Sequence, residues 1–285
     1  TDFATASSRP AEERPLLLGL TDVGLDLADT RIANGPAYGD AQLTRANQRL
    51  VKGEATGLLQ LRHPRHEADS RLNLKYGWTR SEPVGGPAAS GETTDLITFT
   101  TVYNYRGLRG HEVALLPRRA VPDPYVRVGL ESEFTRPPPS PTQPRDFHHL
   151  ELTNTAGALF TLTPALKVRG GAGVRKELLT ATGDAGRWRP LLEAGAALSP
   201  VALATVGALA VKVEGLLDYN FIDPSGMREH QLRGNGKLSL PLLPLLFITA
   251  GVDLFAVQRQ RQGWGTSYDT TVGLRIHLDA AHQWL

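Results

Sequence analysis

The chain has 285 residues, 41% of them hydrophobic, a formal net charge of +2 with both signs mixed along its length, and no cysteine. That length allows one large domain or two ordinary ones, and the hydrophobic fraction excludes wholesale disorder. The lack of cysteine excludes disulfides, thiolate chemistry, Cys-ligated zinc and thioether-linked haem, and the mixed charge excludes the clustered Lys and Arg of a nucleic-acid footprint.

Residues 1–14 are polar and rich in Ala, Ser and Glu, which predicts a flexible N-terminal segment ahead of one domain over 15–285. A start at Thr1 without a charged-then-apolar leader fits an exported chain whose signal peptide has been removed, or simply a trimmed chain, and absence of cysteine suits an oxidising compartment. No stretch reaches the roughly 20 apolar residues of a membrane-spanning helix. The longest apolar run, 238–248, is interrupted by Ser239, Pro241 and Pro244.

From residue 16 onward the dominant pattern is alternation of period two, the mark of a strand with two different faces. In chain order it predicts strands over 16–27, 54–64, 70–80, 93–106, 124–135 and 147–161. A second half-dozen follows over 165–177, 187–198, 205–222, 227–240, 245–259 and 267–279. That is about twelve strands, within about 10–14, and an even number suits a closed single-chain barrel. The segment 107–123 is read as a connection with a short helix or strand of its own.

The connections differ by side. Leu162-Thr163-Pro164, Ser199-Pro200 and Pro241-Leu242-Leu243-Pro244 are tight turns, whereas 28–53, 81–92, 136–146 and 178–186 are longer and more polar. Short turns on one rim and long loops on the other, with both termini on the turn side, form the asymmetry of a membrane barrel. The long link 107–123 is the exception to that scheme.

The last predicted strand places Tyr268, Thr270, Val272, Leu274, Ile276 and Leu278 on one face and Asp269, Thr271, Gly273, Arg275 and His277 on the other. The strand before it repeats the pattern, with Phe247 and Phe255 as exceptions on its polar face. Aromatics on the apolar face fall at strand ends. Tyr76, Trp78, Trp188, Tyr219, Phe221 and Tyr268 belong to the loop rim, and Tyr103 and Tyr105 to the turn rim. Rings at those two levels match the aromatic girdles at membrane interfaces.

Together these features resemble the Gram-negative outer-membrane β-barrel class, at the level of architecture rather than of a specific family. The resemblance covers nearly all of the chain from Leu16 on. It implies an all-β, antiparallel, up-and-down transmembrane barrel in the bacterial outer membrane, with outer-membrane lipid and lipopolysaccharide as its surroundings. One departure is the tail: the last strand runs out near Asp279, with 280–285 after it and Trp284 next to last, where such barrels end on an aromatic.

The face opposite the apolar one is predicted to be a wet lumen. Its basic members are Arg62, Lys75, Arg127, Lys167, Arg169, Arg175, Lys212, Arg233, Lys237 and Arg275. Its acidic members are Glu131, Glu133, Glu151, Glu214, Asp218, Glu229, Asp253 and Asp269. In a barrel this narrow, paired long side chains largely fill the interior; the sharper alternative is a polar channel whose charge rings set selectivity. Balanced signs argue against strong preference for either ion type.

No catalytic residue, metal site or cofactor is predicted. His148 and His149 with Glu151 and Asn154 invite comparison with lipid hydrolases that pair His with a serine two residues on, but the positions two after these histidines are Leu150 and Glu151. His63, His66 and Glu67 surround a tight turn and read as solvated polar residues rather than metal ligands. Gly170-Gly171 lies within a strand, outside the strand-to-helix setting of a phosphate loop. The proline-rich 137–144 reads as a stiffened loop. The expectation is a non-enzymatic barrel acting as a narrow or plugged pore, or as an anchor docking another envelope protein through 107–123 or 1–14. A barrel-embedded lipid-modifying enzyme and a soluble β-sandwich binding module are the alternatives.

Overall fold

The computed structural model describes residues 16–33, 48–81, 89–110, 121–133, 150–178, 186–206, 209–222, 228–243, 245–259 and 263–277. Within them lie β1 (Leu16–Ala33), β2 (Gln48–Arg62), β3 (His66–Ser81), β4 (Ala89–Tyr105), β5 (Asp123–Ser132) and β6 (Leu150–Thr161). The second half holds β7 (Leu166–Glu177), β8 (Trp188–Val206), β9 (Leu209–Ile222), β10 (Glu229–Pro241), β11 (Leu246–Arg259) and β12 (Gly265–His277). Each strand pairs antiparallel with its sequence neighbours, and β1 pairs with β12 from Asp22↔His277 to Ala33↔Thr266, closing the barrel. Closure of all twelve strands leaves the barrel wall itself no open edge, which the sandwich alternative would require, and that alternative is overturned.

Polarity is inverted relative to a soluble fold. Leu25, Leu27, Val126, Leu192, Leu217, Val272 and Leu274 are exposed on the outer wall, while Lys52, Arg71, Glu151, Arg169, Glu193, Asp218 and Arg275 are buried inside. The cause is period-two alternation locked to register. On β12 the exposed Tyr268, Val272, Leu274 and Ile276 alternate with Ser267, Asp269 and Arg275, which are buried. A one-residue slip would turn every charge outward.

Several strands are longer than the alternation predicts. β1 runs to Ala33 and β2 begins at Gln48, so part of the segment read as a loop over 28–53 is paired strand. At 18 residues β1 reaches roughly 60 Å along its axis, well past a hydrocarbon core of roughly 30 Å. Its polar residues in the extension, Asp29, Thr30 and Arg31, blurred the periodic signal there. The predicted turn at Ser199-Pro200 is not a turn. β8 continues to Val206, and Ser199-Pro200 marks a register shift between Leu198 and Val201. Beyond Leu198 the β7 partner has ended, so β8 and β9 continue as a two-stranded ribbon past the turn rim, where Pro200 costs no ladder bond to a third strand.

The link after β4 opens with a 3-10 turn, Gly107–Gly110, and the rest of that link up to residue 120 lies outside the described residues. So do the N-terminal segment 1–15, the His148-His149 pair and the tail after His277.

Strands β6 and β7 approach so closely that a Cβ at Gly173 would fall on the Asn154 carbonyl oxygen, with Thr155 Cα at 2.7 Å. The obstacle is backbone, which cannot swing aside. Gly173→Ala is therefore expected to destabilise the folded barrel by about 1–3 kcal/mol. The check is the temperature at which the compact form gives way to the unfolded one on a gel.

Candidate functional site: the charged lumen

The lumen wall carries three linked groups of ion pairs. At the closing seam, the Arg275 guanidinium donates to Asp22 (3.0 Å) and Asp26 (2.7 Å) on β1 and lies 2.6 Å from Glu54 on β2. Lys237 on β10 donates to Asp22 at 3.2 Å and stands 3.5 Å from Glu214 on β9. Lys75 on β3 lies 3.6 Å from both Glu54 and Asp253, and Lys52 pairs with Asp269. Lys237–Asp22, Lys75–Asp253, Lys52–Asp269 and Arg275–Glu54 link strands that are not neighbours and so reach over the interior. Arg275–Asp22, Arg275–Asp26, Lys237–Glu214 and Lys75–Glu54 join adjacent strands along the wall.

On the opposite arc Glu193 of β8 is the hub. Thr155 donates to it at 2.7 Å, Arg127 at 2.9 Å, and the Tyr125 hydroxyl donates as well. Arg169 donates to Asp218 at 2.7 Å and stands 3.8 Å from Glu193. The Tyr125 phenol lies over Gly171, where any Cβ would strike its hydroxyl. Its ring packs with Val102, Leu159, Ala197 and Leu216 into an apolar cluster inside the barrel, displaced toward the turn side. A buried apolar cluster among charges narrows the passage there.

The third group spans the lumen. Arg233 on β10 grips Glu131 on β5 with both terminal nitrogens, at 2.6 and 3.3 Å. Those strands stand almost diametrically opposed in the strand order. The guanidinium also lies over the Phe255 ring at 5.4 Å, which gives this inward phenylalanine its purpose. Nearby, Arg175 pairs with Glu151 and lies 3.4 Å from Glu177, and Arg259 donates to Glu229 at 3.2 Å. A cavity of about 240 Å³ opens among Lys52, Lys75, Arg127, Glu131, Arg233 and Asp253. It has room for several waters or one small solute, walled by both signs of charge.

Among the lumen residues read from sequence, Arg127, Glu131, Lys167, Arg169, Arg175, Glu214, Asp253 and Arg275 alternate on the inner face, and the structure brings most of them into the pairs above. Glu133 lies just past the end of β5. Lys212 is exposed, in register with Ala202 and Ser239 at the base of the protruding ribbon, and belongs to none of the three groups. Tyr76, Trp78, Tyr103, Trp188, Tyr219 and Tyr268 are exposed on the outer wall, and Tyr105 is half-buried there. Sequence reasoning missed Asp22, Asp26, Lys52, Glu193 and Tyr125. Asp22-x-Gly24-x-Asp26 alternates visibly, and Leu191-x-Glu193-x-Gly195 does too, so the signal was present at both.

No protein-family model matches the chain, and no curated protein matches it either. Solved structures do. An outer-membrane channel from Pseudomonas putida F1 is 11% identical at a TM-score of 0.43, over 94% of this chain and 100% of that one. The translocator domain of the autotransporter NalP from Neisseria meningitidis is 12% identical at 0.36, over 94% and 90% of the two chains. The KdgM porin is 10% identical at 0.37, over 90% and 99%.

Proposed function

We propose that this chain is an integral barrel of a bacterial outer membrane, non-enzymatic, whose lumen is a narrow pore held shut by ion pairs. The observation that carries the reading is the inverted polarity. A wall with exposed Leu, Val and Ile all round is stable only against hydrocarbon, because soluble proteins rarely expose contiguous apolar patches beyond a few hundred Å². Inside, a polar cavity exists but is crossed by Arg233–Glu131 and narrowed by the Tyr125 cluster, which supports a pore for small solutes rather than a wide porin. Outer-membrane phospholipid and lipopolysaccharide would then be its lateral partners.

The test is reconstitution. In a planar bilayer the full chain is expected to show small, rare conductance steps of weak ion preference, because both signs line the cavity. Large, steady conductance would contradict the crossed lumen, and failure to enter vesicles would contradict the membrane reading itself.

A second reading, that the barrel anchors another envelope protein, is favoured by the β8–β9 ribbon. Residues 200–205 are all exposed, on both faces of the ribbon, and include Val201 and Leu203. The β8 edge there is unpaired with β7, so it can accept a strand from a partner protein by edge addition. Changing Leu203 to Ser should release a protein that crosslinks to cysteines placed at 202 and 204, while leaving conductance unchanged. A crosslink indifferent to that change would remove this reading.

A further inference from the structure

Two places on the outer wall repeat one arrangement at opposite rims. At the turn rim, His66 begins β3 and stands in register with Tyr105 on β4; its Nδ1 meets the Tyr103 hydroxyl at 2.6 Å, and its ring lies 5.3 Å from that of Tyr105. At the loop rim, His230 on β10 stands in register with Phe221 on β9; its Nδ1 meets the Tyr219 hydroxyl at 2.7 Å, and its ring lies 4.8 Å from that of Phe221. The aromatic partners come from Tyr103-Asn104-Tyr105 and Tyr219-Asn220-Phe221, in which each asparagine turns to the lumen while its neighbours face out. Close to each histidine in the chain is an exposed arginine, Arg65 in the β2–β3 turn and Arg228 just ahead of β10. Neither arginine has an acidic partner among the described residues.

Girdle aromatics alone would need no histidine. In the tautomer in which the tyrosine hydroxyl donates into Nδ1, the imidazole hydrogen sits on Nε2, and Nε2 has no partner among the described residues. The adjoining ring fixes the imidazole plane, and an exposed arginine one or two residues away in the chain brings positive charge with further N–H donors to the same rim. A fixed Nε2–H beside a guanidinium is a recognition unit for a phosphate oxygen, through charge-assisted hydrogen bonds. Both units lie on the apolar wall at the rims, the depth at which headgroups sit when the wall meets hydrocarbon.

We propose that each rim carries a phosphate-ester site for a membrane lipid headgroup: His66 with Arg65, held by Tyr103 and Tyr105, at the turn rim, and His230 with Arg228, held by Tyr219 and Phe221, at the loop rim. The inference rests on the membrane reading above and adds a ligand class and fixed residues to it. The two sites hold the barrel at a set depth by gripping both leaflets.

The test uses the full chain in detergent with phosphatidylglycerol and digalactosyldiacylglycerol, a lipid without phosphate, counting lipids retained per barrel by native mass spectrometry. The wild type is expected to retain phosphatidylglycerol over the galactolipid by about tenfold. The pair R65Q/H66Q should remove one retained phospholipid and R228Q/H230Q the other, with the heat-modifiable gel shift and the conductance unchanged, since none of the four lines the lumen. Equal retention of the two lipids, or a preference that survives in the quadruple variant, overturns the proposal. Excess inorganic phosphate separates the sources: displacement of the lipid assigns the sites to phosphate in general, and persistence assigns them to the headgroup with its chains. A barrel that does not float with vesicles overturns the membrane reading and this inference with it, and that is seen before any lipid is counted.

Discussion

Replacing Arg233 by Ala should raise single-channel conductance severalfold and tilt it toward cations. The side chain crosses the lumen from β10 to reach Glu131 on β5, with both terminal nitrogens engaged at 2.6 and 3.3 Å. Its removal clears a side chain that crosses the cavity and leaves Glu131 facing the passage without this cation. Glu131→Gln keeps the volume but removes the negative charge that Arg233 grips across the lumen, so a smaller rise with a tilt toward anions is expected. The double change R233A/E131A should conduct most and discriminate least. Opposite selectivity shifts from the two single variants are the diagnostic, since general loosening of the fold would move both the same way. Raised salt should weaken the grip in the wild type, because the Arg233 side chain is one-third exposed and screening reaches it. Unchanged conductance in all three variants would place the block at the apolar cluster around Tyr125, and Val102 and Leu159 would be the next positions to shorten.

The ion pairs explain why a lumen rich in charge is not an open one. A buried charge is tolerated only when paired and hydrogen-bonded. Some partners lie on adjacent strands, but Lys75–Asp253, Lys237–Asp22 and Arg233–Glu131 join strands three to five positions apart, and satisfying those draws side chains inward over the axis. Glycines make room for them on the wall. Gly171 lies under the Tyr125 phenol, and Gly195 lies where a Cβ would press on Arg169 Cγ at 3.2 Å. Narrowness and structural cohesion therefore have one cause, and any change that widens the passage also removes a tie between strands.

Much of this was legible in the alternating pattern, because a barrel wall between lipid and charge imposes the strongest period-two contrast a strand can have. The face assignments of Arg127, Arg169 and Arg175 follow from it directly, and so do the outward Val272 and Leu274. What was not legible has two physical sources. Where a hairpin runs past the apolar band, the contrast fades, so Lys52 was lost in a supposed loop and the ribbon over 201–206 was cut at Pro200. Proline there removes a donor that has no acceptor, and so reads like a turn although the strand continues. The partners of each charge are the second source. Alternation says that Glu131 faces inward, but only the strand order places Arg233 opposite it.

Arg275 is the residue whose loss should cost most. It sits on the last strand and joins the first two, with Asp22 at 3.0 Å, Asp26 at 2.7 Å and Glu54 at 2.6 Å. Gly24 gives its side chain the space to lie flat, since a Cβ there would stand 2.9 Å from Arg275 Cγ. Arg275→Met leaves three carboxylates together at the seam, of which Asp22 keeps Lys237 and Glu54 keeps Lys75 at longer range. Asp26, which is buried, keeps no cation in contact. Breaking such a buried group by removing one partner costs about 3–5 kcal/mol, so the heat-modifiable transition should move to much lower temperature. Arg275→Lys should fall between, because a point charge cannot serve three carboxylates that a planar fork reaches. The triple change R275M/D26N/E54Q should recover most of the loss, because it removes the stranded charge along with the cation. If R275M instead melts with the wild type, the seam is held by the β1–β12 ladder alone, and the three carboxylates find solvent in the cavity rather than a partner on the wall.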